Sequence, residues 1–223
     1  SLITCIILCT FMQKVLGANM SDLSEELYDI IDAITRLLTT KKQIPLEYTL
    51  LIIEFLDACT NNIDQGEAAK YIQPIFGYKM IEDLVYKGAV PTNDTILEEL
   101  EDSSDPSIFA ILMDRCFTDI YHRLSNRSDP DYTMNSQIII GLIQIATNIS
   151  CNKGLGEPMA YLISKKGIGE NKFITLIKNA PRMIPKYSRK LYGMIGMLQY
   201  CITKLIGGSD DKILESDEFV NAV

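Results

Sequence analysis

Residues 136–150 read Ser-Gln-Ile-Ile-Ile-Gly-Leu-Ile-Gln-Ile-Ala-Thr-Asn-Ile-Ser, and none of these side chains carries a charge. A helix that is apolar on every side is packed by neighbouring segments from several directions. A run of β-branched residues is also typical of a buried strand. The length of the run, the spacing of Gln137 and Gln144 and the lack of other strand signals favour a helix. We therefore predict that this helix is a central element of an all-α fold.

Helical periodicity extends along the chain on both sides of this run. Apolar residues at spacings of three and four predict an amphipathic helix at residues 22–38. Residues 46–60 and 188–206 form two further long, mostly apolar segments of helical length. Shorter or less regular patterns predict helices at residues 2–17, 66–88, 105–124, 157–164 and 172–179. The composition of residues 89–106 and 126–132 is typical of a loop and a turn.

The helical pattern ends at residue 206, where Gly-Gly-Ser forms a joint of the kind found in flexible linkers. We predict one helical-repeat domain over residues 1–206 and an acidic flexible tail over residues 207–223. The tail combines five acidic side chains with apolar ones such as Ile213 and Phe219. Because the chain begins with Ser rather than Met, we expect it to be a fragment of a longer protein.

The cysteines and the single histidine limit the metal chemistry that the chain can support. Six cysteines are spread along the sequence without a Cys-x-x-Cys pair, and His122 is the only histidine. Structural zinc needs clustered Cys and His ligands, so we predict no metal site and no cofactor. Dispersed cysteines in apolar settings are typical of thiols in a reducing compartment, so we expect a cytoplasmic or nuclear protein. No apolar run reaches the roughly 20 residues of a transmembrane helix.

No motif in the sequence points to catalysis. A Ser-His-Asp or Cys-His site would have to use His122, and no nucleophile elbow is present. The glycine pairs at residues 154–156 and 167–169 lack the third glycine and the acidic partner of a dinucleotide site. A phosphate-binding Gly-x-x-x-x-Gly-Lys-Ser/Thr loop does not occur. We therefore predict a protein that is not an enzyme, and a site built from carboxylates alone is the least favoured alternative.

Two segments resemble a known repeat family. Gly-Leu-Ile-Gln-Ile-Ala-Thr-Asn-Ile-Ser at residues 141–150 is similar to the third-helix pattern of armadillo repeats, which ends in a small residue followed by Asn-Leu or Asn-Ile. Lys-Lys-Gly-Ile-Gly-Glu-Asn-Lys-Phe-Ile-Thr-Leu-Ile-Lys-Asn at residues 165–179 resembles the glycine, apolar, Leu-Leu segment of that family. The resemblance covers mainly residues 136–206. It implies a right-handed helical-repeat solenoid of the armadillo/HEAT type with irregular repeats, whose groove binds extended segments.

The same region differs in charge from the rest of the chain. Residues 151–206 contain ten basic and two acidic side chains, giving a net charge of +8 in a chain whose total is -8. Tyrosine is enriched in the residues that dominate protein–protein binding. We predict a partner-binding surface made of basic and tyrosine side chains of this region: Lys165, Lys166, Lys172, Lys178, Arg182, Lys186, Arg189, Lys190, Tyr187 and Tyr192.

Several functions are compatible with such a surface. The first is a scaffold or adaptor that binds an acidic or extended segment of another protein. The second is binding of nucleic acid or phosphoinositide through residues 165–190, which the negative total charge disfavours. The simplest alternative is a solvated positive face without a dedicated ligand. The acidic residues 210–220 lead to a further hypothesis, in which the tail folds back on the basic region.

Overall fold

The computed structural model of the protein describes residues 2–8, 24–40, 43–61, 108–151 and 172–206. Every regular element in these ranges is helical, and none of the ranges contains a strand. The prediction of an all-α fold is therefore confirmed, and the apolar run over residues 136–150 is helical. The helices predicted at residues 66–88 and 157–164, the loop at 89–106 and the tail at 207–223 lie outside the described ranges.

The chain divides into two compact units, Ser1–Leu112 and Met113–Val223. In the first unit, the described residues include the helical residues 2–8 and two longer helices. They are α1 (Ser24–Thr40) and α2 (Leu46–Asn61). No helix among the residues described here, in either unit, combines the length and the apolar content that a bilayer-spanning segment requires.

The two long helices of the first unit differ in how they bury their surfaces. On α1 the buried side chains Ile30, Ile34 and Leu38 recur every four residues, which is the single apolar stripe that the sequence predicts. On α2 the buried residues lie on most sides of the helix: Thr49, Ile52, Ile53, Phe55, Leu56, Ala58, Cys59 and Thr60. The prediction of a helix at residues 46–60 is thus confirmed, and this helix is buried on most of its sides.

The boundary between Leu112 and Met113 falls within a helix whose winding changes along its length. α3 (Ile108–Arg115) continues into a π-helical turn over Cys116–Ile120 and then into a 3-10 turn over Tyr121–Ser125. The sequence predicts one regular helix to residue 124, so the change of winding is a correction. The consecutive side chains Ile120 and Tyr121, at the junction of the two turns, are both buried, and the Phe117 ring stacks on the Tyr121 ring at 5.0 Å.

Three further helices lie in the described part of the second unit. They are α4 (Tyr132–Ser150), α5 (Lys172–Met183) and α6 (Ser188–Ile206). α4 packs against α6 and against the 3-10 turn, and α5 packs against α6. The side chains of α4 are buried on nearly all sides, so α4 forms the centre of the core that the described helices of this unit share.

A charged turn connects the 3-10 segment to α4. The Nε of Arg123 donates to Oδ2 of Asp129 at 3.0 Å, and its Nη2 donates to Oδ1 of Asp129 at 3.1 Å and to Oδ2 of Asp131 at 2.9 Å. Oδ1 of Asp129 also accepts a hydrogen bond from the Asp131 amide at 2.8 Å. These bonds fix the entry into α4 and confirm the turn predicted from the composition of residues 126–132.

The pKa of the Asp129 carboxyl lies below its usual value, because the carboxylate accepts the Asp131 amide and pairs with the Arg123 guanidinium. The ionised form therefore stabilises the fold above the unfolded-state pKa of about 3.9, and this contribution is lost as the pH falls through the lower folded-state pKa. We expect Asp129→Asn to have a lower melting temperature than the wild type at neutral pH. In acid the melting temperatures of the two proteins should approach each other. Thermal melts across this pH range measure the difference.

Asp119→Asn is the matched control for that experiment, since it removes the same charge from an exposed position on the π-helical turn. Its melting temperature should stay near that of the wild type at neutral pH. If the difference in melting temperature between Asp129→Asn and the wild type stayed constant down to strongly acidic pH, the stabilising role of the ionised Asp129 carboxylate would be contradicted.

Candidate functional site

The candidate site is built on the hairpin that α5 and α6 form. Pro181 lies inside α5 and has no amide hydrogen to donate, so it weakens the last turn of the helix. The backbone leaves the helical conformation at Ile184 (φ -122°, ψ 65°), and Pro185 begins a 3-10 turn that ends at Tyr187. Two packed helices joined by so few residues form an αα-hairpin, in which the end of α5 lies beside the start of α6.

The hairpin turn is attached to the core of the unit. The Tyr132 hydroxyl, at the start of α4, donates a hydrogen bond of 2.6 Å to the carbonyl oxygen of Met183. This carbonyl is one of those at a helix C-terminus that have no partner within their own helix. The side chains of Ile184 and Leu191, on either side of the turn, are fully buried. The turn therefore has a defined position relative to α4, and the side chains on its outer surface share that position.

Five exposed basic side chains lie on and around this turn, and we call them the basic corner: Lys178, Arg182, Lys186, Arg189 and Lys190. Arg182 is in the last turn of α5, Lys186 is in the 3-10 turn, and Arg189 and Lys190 are in the first turn of α6. Lys178 lies one helical turn before Arg182. Because the two helix ends meet at the turn, these charges are concentrated at one end of the hairpin.

No acidic residue offsets the charge of the basic corner from within the hairpin sequence. Between Glu170 and Asp210 the chain contains no Asp or Glu. Lys178 and Arg182 are four residues apart on α5, and like charges at this spacing destabilise a helix by about 0.2–0.5 kcal/mol. Arg189 and Lys190 lie at the N-terminus of α6, where the helix dipole disfavours positive charge. Only Arg182 is placed favourably with respect to its helix dipole.

The structure separates one predicted site residue from this group. Lys172 lies at the opposite end of α5, about 15 Å along the axis from Arg182 at 1.5 Å per residue. Its ammonium group forms an ion pair with Asp114 and lies 5.9 Å from the centre of the Phe117 ring. Lys172 thus holds the start of α5 against the end of α3. Lys165 and Lys166, which the sequence also predicts as site residues, lie outside the described ranges.

The tyrosines predicted to contribute to the site are partly covered. Tyr187 and Tyr192 are both half-buried, and the Lys186 ammonium lies 5.5 Å from the centre of the Tyr187 ring. More aromatic and apolar surface is available further along α6, where Met197 and Tyr200 are 53% and 63% exposed. Met197 is not among the site residues predicted from the sequence, although the helical period of residues 188–206 places it opposite the apolar stripe of α6.

The groups with possible catalytic chemistry lie elsewhere, around the π-helical turn. Burial raises the pKa of the Cys116 thiol to about 12, so this cysteine is protonated at neutral pH and is a poor nucleophile. His122 is exposed, and its ring makes edge contacts with Phe117 and Tyr121 at 5.5 and 5.3 Å. Within the residues whose positions are described, no three His, Cys, Asp or Glu side chains are grouped so that they could hold a metal ion.

Comparison of the chain with protein-family models, with curated proteins and with solved structures finds no match. The geometry and charge of the described residues are therefore the basis on which a function is proposed.

Proposed function

We propose that this protein is a non-enzymatic interaction module whose basic corner binds an acidic, extended segment of another protein. The observation that supports the proposal is the concentration of five exposed basic side chains at one end of the α5–α6 hairpin, in a sequence without acids from residue 171 to residue 209. A carboxylate-rich partner would supply the counter-charges that the hairpin lacks. Such modules act as scaffolds or adaptors, and a cytoplasmic or nuclear location would suit this one.

The unfavourable electrostatics of the free corner support the proposal. Like charges one helical turn apart, and cations at the N-terminus of α6, lower the stability of the isolated protein. Residues that lower the stability of a protein are expected at positions where its binding function requires them. An acidic ligand converts this repulsion into attraction and also raises the rate of association, since oppositely charged surfaces steer each other together.

The proposal includes the larger architecture that the resemblance to armadillo repeats implies. We propose that the helices stack in an irregular, right-handed solenoid of the armadillo/HEAT type. Two features support this: α4 is buried on nearly all sides, as the inner helix of a stacked unit must be, and α5 and α6 pack as a hairpin beside it. In such a stack the end of each hairpin lies on the rim of the groove, and the basic corner would occupy that position.

A second candidate function is supported by the same charges. A phosphate-bearing ligand, either nucleic acid or phosphoinositide, would pair with Arg182 and Arg189, whose planar guanidinium groups suit phosphate oxygens. The net charge of -8 opposes the long-range approach of a polyanion, which favours a short acidic protein segment. Salt separates the candidates, because nucleic acid affinity falls by about one log unit per tenfold rise in salt for each phosphate neutralised.

Charge reversal of the corner tests the proposed function. In Lys178→Glu combined with Lys186→Glu, two ion pairs of about 0.2–1 kcal/mol each become repulsive contacts. We expect the affinity for a fluorescein-labelled peptide of alternating Glu and Ala to fall by about tenfold or more, which corresponds to about 1.4 kcal/mol. Fluorescence anisotropy at low salt measures the binding.

The control variant combines Arg36→Glu with Arg127→Glu, which changes the net charge equally at exposed positions outside the corner. It should bind the peptide with nearly wild-type affinity. An equal loss of peptide affinity in both variants would show that only the overall charge matters. That result would count against a binding site at the basic corner. Binding of a single-stranded oligonucleotide with a steep salt dependence, without binding of the peptide, would favour the second candidate.

A further inference from the structure

The guanidinium group of Arg182 is held in place by a neighbouring side chain of the same helix. Its Nη2 donates a hydrogen bond of 3.1 Å to Oδ1 of Asn179, three residues earlier on α5. Side chains three residues apart on a helix lie on the same side, so the two groups meet without leaving the helix surface. Among the described residues, no side chain holds the other arginine of the basic corner, Arg189, in this way.

The amide group of Asn179 is itself fixed by the backbone of α5. Its Nδ2 donates a hydrogen bond of 2.9 Å to the carbonyl oxygen of Thr175, and the Asn179 side chain is half-buried. A carbonyl oxygen only accepts hydrogen bonds and a guanidinium group only donates them, so one orientation of the amide satisfies both partners. The two hydrogen bonds therefore form a chain that fixes the Arg182 guanidinium relative to its helix.

The backbone on both sides of Arg182 is fixed as well. Pro181, which precedes it, is buried, and its ring restricts the φ angle of the chain. The carbonyl oxygen of Met183, which follows it, accepts the hydrogen bond of 2.6 Å from the Tyr132 hydroxyl. Both the main chain and the guanidinium group of Arg182 thus have defined positions relative to α4, although the side chain itself is exposed.

A guanidinium group that donates one hydrogen bond to Asn179 still offers a fork of two donors. The group carries five N–H bonds, and each of its two recognition edges presents a parallel pair of them. Because Nη2 contributes one N–H to each edge, the bond to Asn179 occupies one edge and leaves both donors of the other. A carboxylate has two oxygens at the matching spacing and accepts both hydrogen bonds at once.

We infer that Arg182 is the residue with which the basic corner recognises a carboxylate of its acidic partner, and that Asn179 is the positioning residue of this guanidinium. The assignment rests on the proposed function, because it takes an acidic segment as the ligand. A long side chain that is ordered before binding loses less conformational entropy when the ligand arrives. The lysines of the corner act as point charges, which attract an acidic segment without selecting its orientation. Arg182 therefore sets where the segment lies on the corner.

Replacing Arg182 with lysine keeps the charge and removes the fork. We expect the affinity of Arg182→Lys for the fluorescein-labelled peptide of alternating Glu and Ala to fall by about tenfold, because one of two parallel charge-assisted hydrogen bonds is lost. Arg189→Lys is the matched comparison within the corner and should lose about twofold or less, as is usual for an exposed ion pair. Arg127→Lys, outside the corner, should bind like the wild type. Fluorescence anisotropy at low salt measures all three.

Replacing Asn179 with alanine frees the Arg182 guanidinium and changes no charge. We expect the affinity to fall by about two- to tenfold, the range that corresponds to the entropy cost of immobilising one long side chain on binding. Alanine favours the helical conformation more than asparagine does, so α5 should stay folded, and circular dichroism measures its helix content. If Asn179 acts through Arg182, adding Asn179→Ala to Arg182→Lys should cause no further loss of affinity.

Two results would overturn the inference and leave the proposed function standing. The first is an equal loss of affinity in Arg182→Lys and Arg189→Lys, and the second is the same loss from Asn179→Ala with and without Arg182→Lys. In either case, a loss of affinity in Lys178→Glu combined with Lys186→Glu would still show that the peptide binds at the corner. If the wild-type protein did not bind the peptide, the proposed function and the inference would both be overturned.

Discussion

Replacing Leu142 with alanine should lower the free energy of unfolding by about 2–5 kcal/mol. Leu142 is fully buried in the middle of α4, the helix that packs against both α6 and the 3-10 turn. Alanine removes apolar contacts and leaves a cavity that the surrounding helices cannot close without moving. Since small domains are stable by only about 5–15 kcal/mol, this loss is a large part of the total. Urea denaturation followed by circular dichroism measures it.

The same substitution at Leu8 is the matched control, because Leu8 is 56% exposed in the helical residues 2–8. Leu8→Ala should change the stability by about 0.5 kcal/mol or less, as is usual for surface positions. If Leu142→Ala lowered the free energy of unfolding as little as Leu8→Ala, α4 could not be the central helix among those described in its unit. Loss of cooperativity in the Leu142→Ala transition, with unchanged helix content, would indicate that α4 packs loosely.

The sequence predicts best the helices whose apolar residues form a long run or recur at helical spacing. Continuous apolar residues over 136–150 identify α4, and the predicted segment 188–206 coincides with α6. The change of winding after α3 has no such signal. At that point the Phe117 ring stacks on the Tyr121 ring and Ile120 is buried, and these contacts exist only in the folded protein.

The sequence identifies the basic residues of the predicted site, but it does not show which of them lie together in the basic corner. It shows which side chains are positive, but it does not show how the chain folds around them. The pairing of Lys172 with Asp114 joins residues 58 positions apart, so no local pattern reveals it. A count of charges therefore includes Lys172 in the site, whereas the fold places it at the far end of α5.

Replacing Asn135 with leucine should raise the free energy of unfolding by about 1–2 kcal/mol, which reverses the usual sign of a core substitution. Asn135 lies in the first turns of α4 with none of its surface exposed, and neither its Oδ1 nor its Nδ2 has a hydrogen-bond partner among the described residues. Burial of an amide without partners costs free energy. Leucine has the same number of side-chain heavy atoms and branches at the same position, and it has no polar group to desolvate.

Asn135→Asp completes the comparison at the same site and with the same shape. A buried carboxylate without a partner is much less favourable than a buried amide, so the order of stability at neutral pH should be leucine, asparagine, aspartate. Desolvation raises the pKa of such a carboxyl, so the aspartate variant should recover stability as the pH falls and the group becomes protonated. A leucine variant less stable than the wild type would show that the amide makes favourable interactions in the folded protein. Asn135 would then be a polar group that the fold of α4 requires.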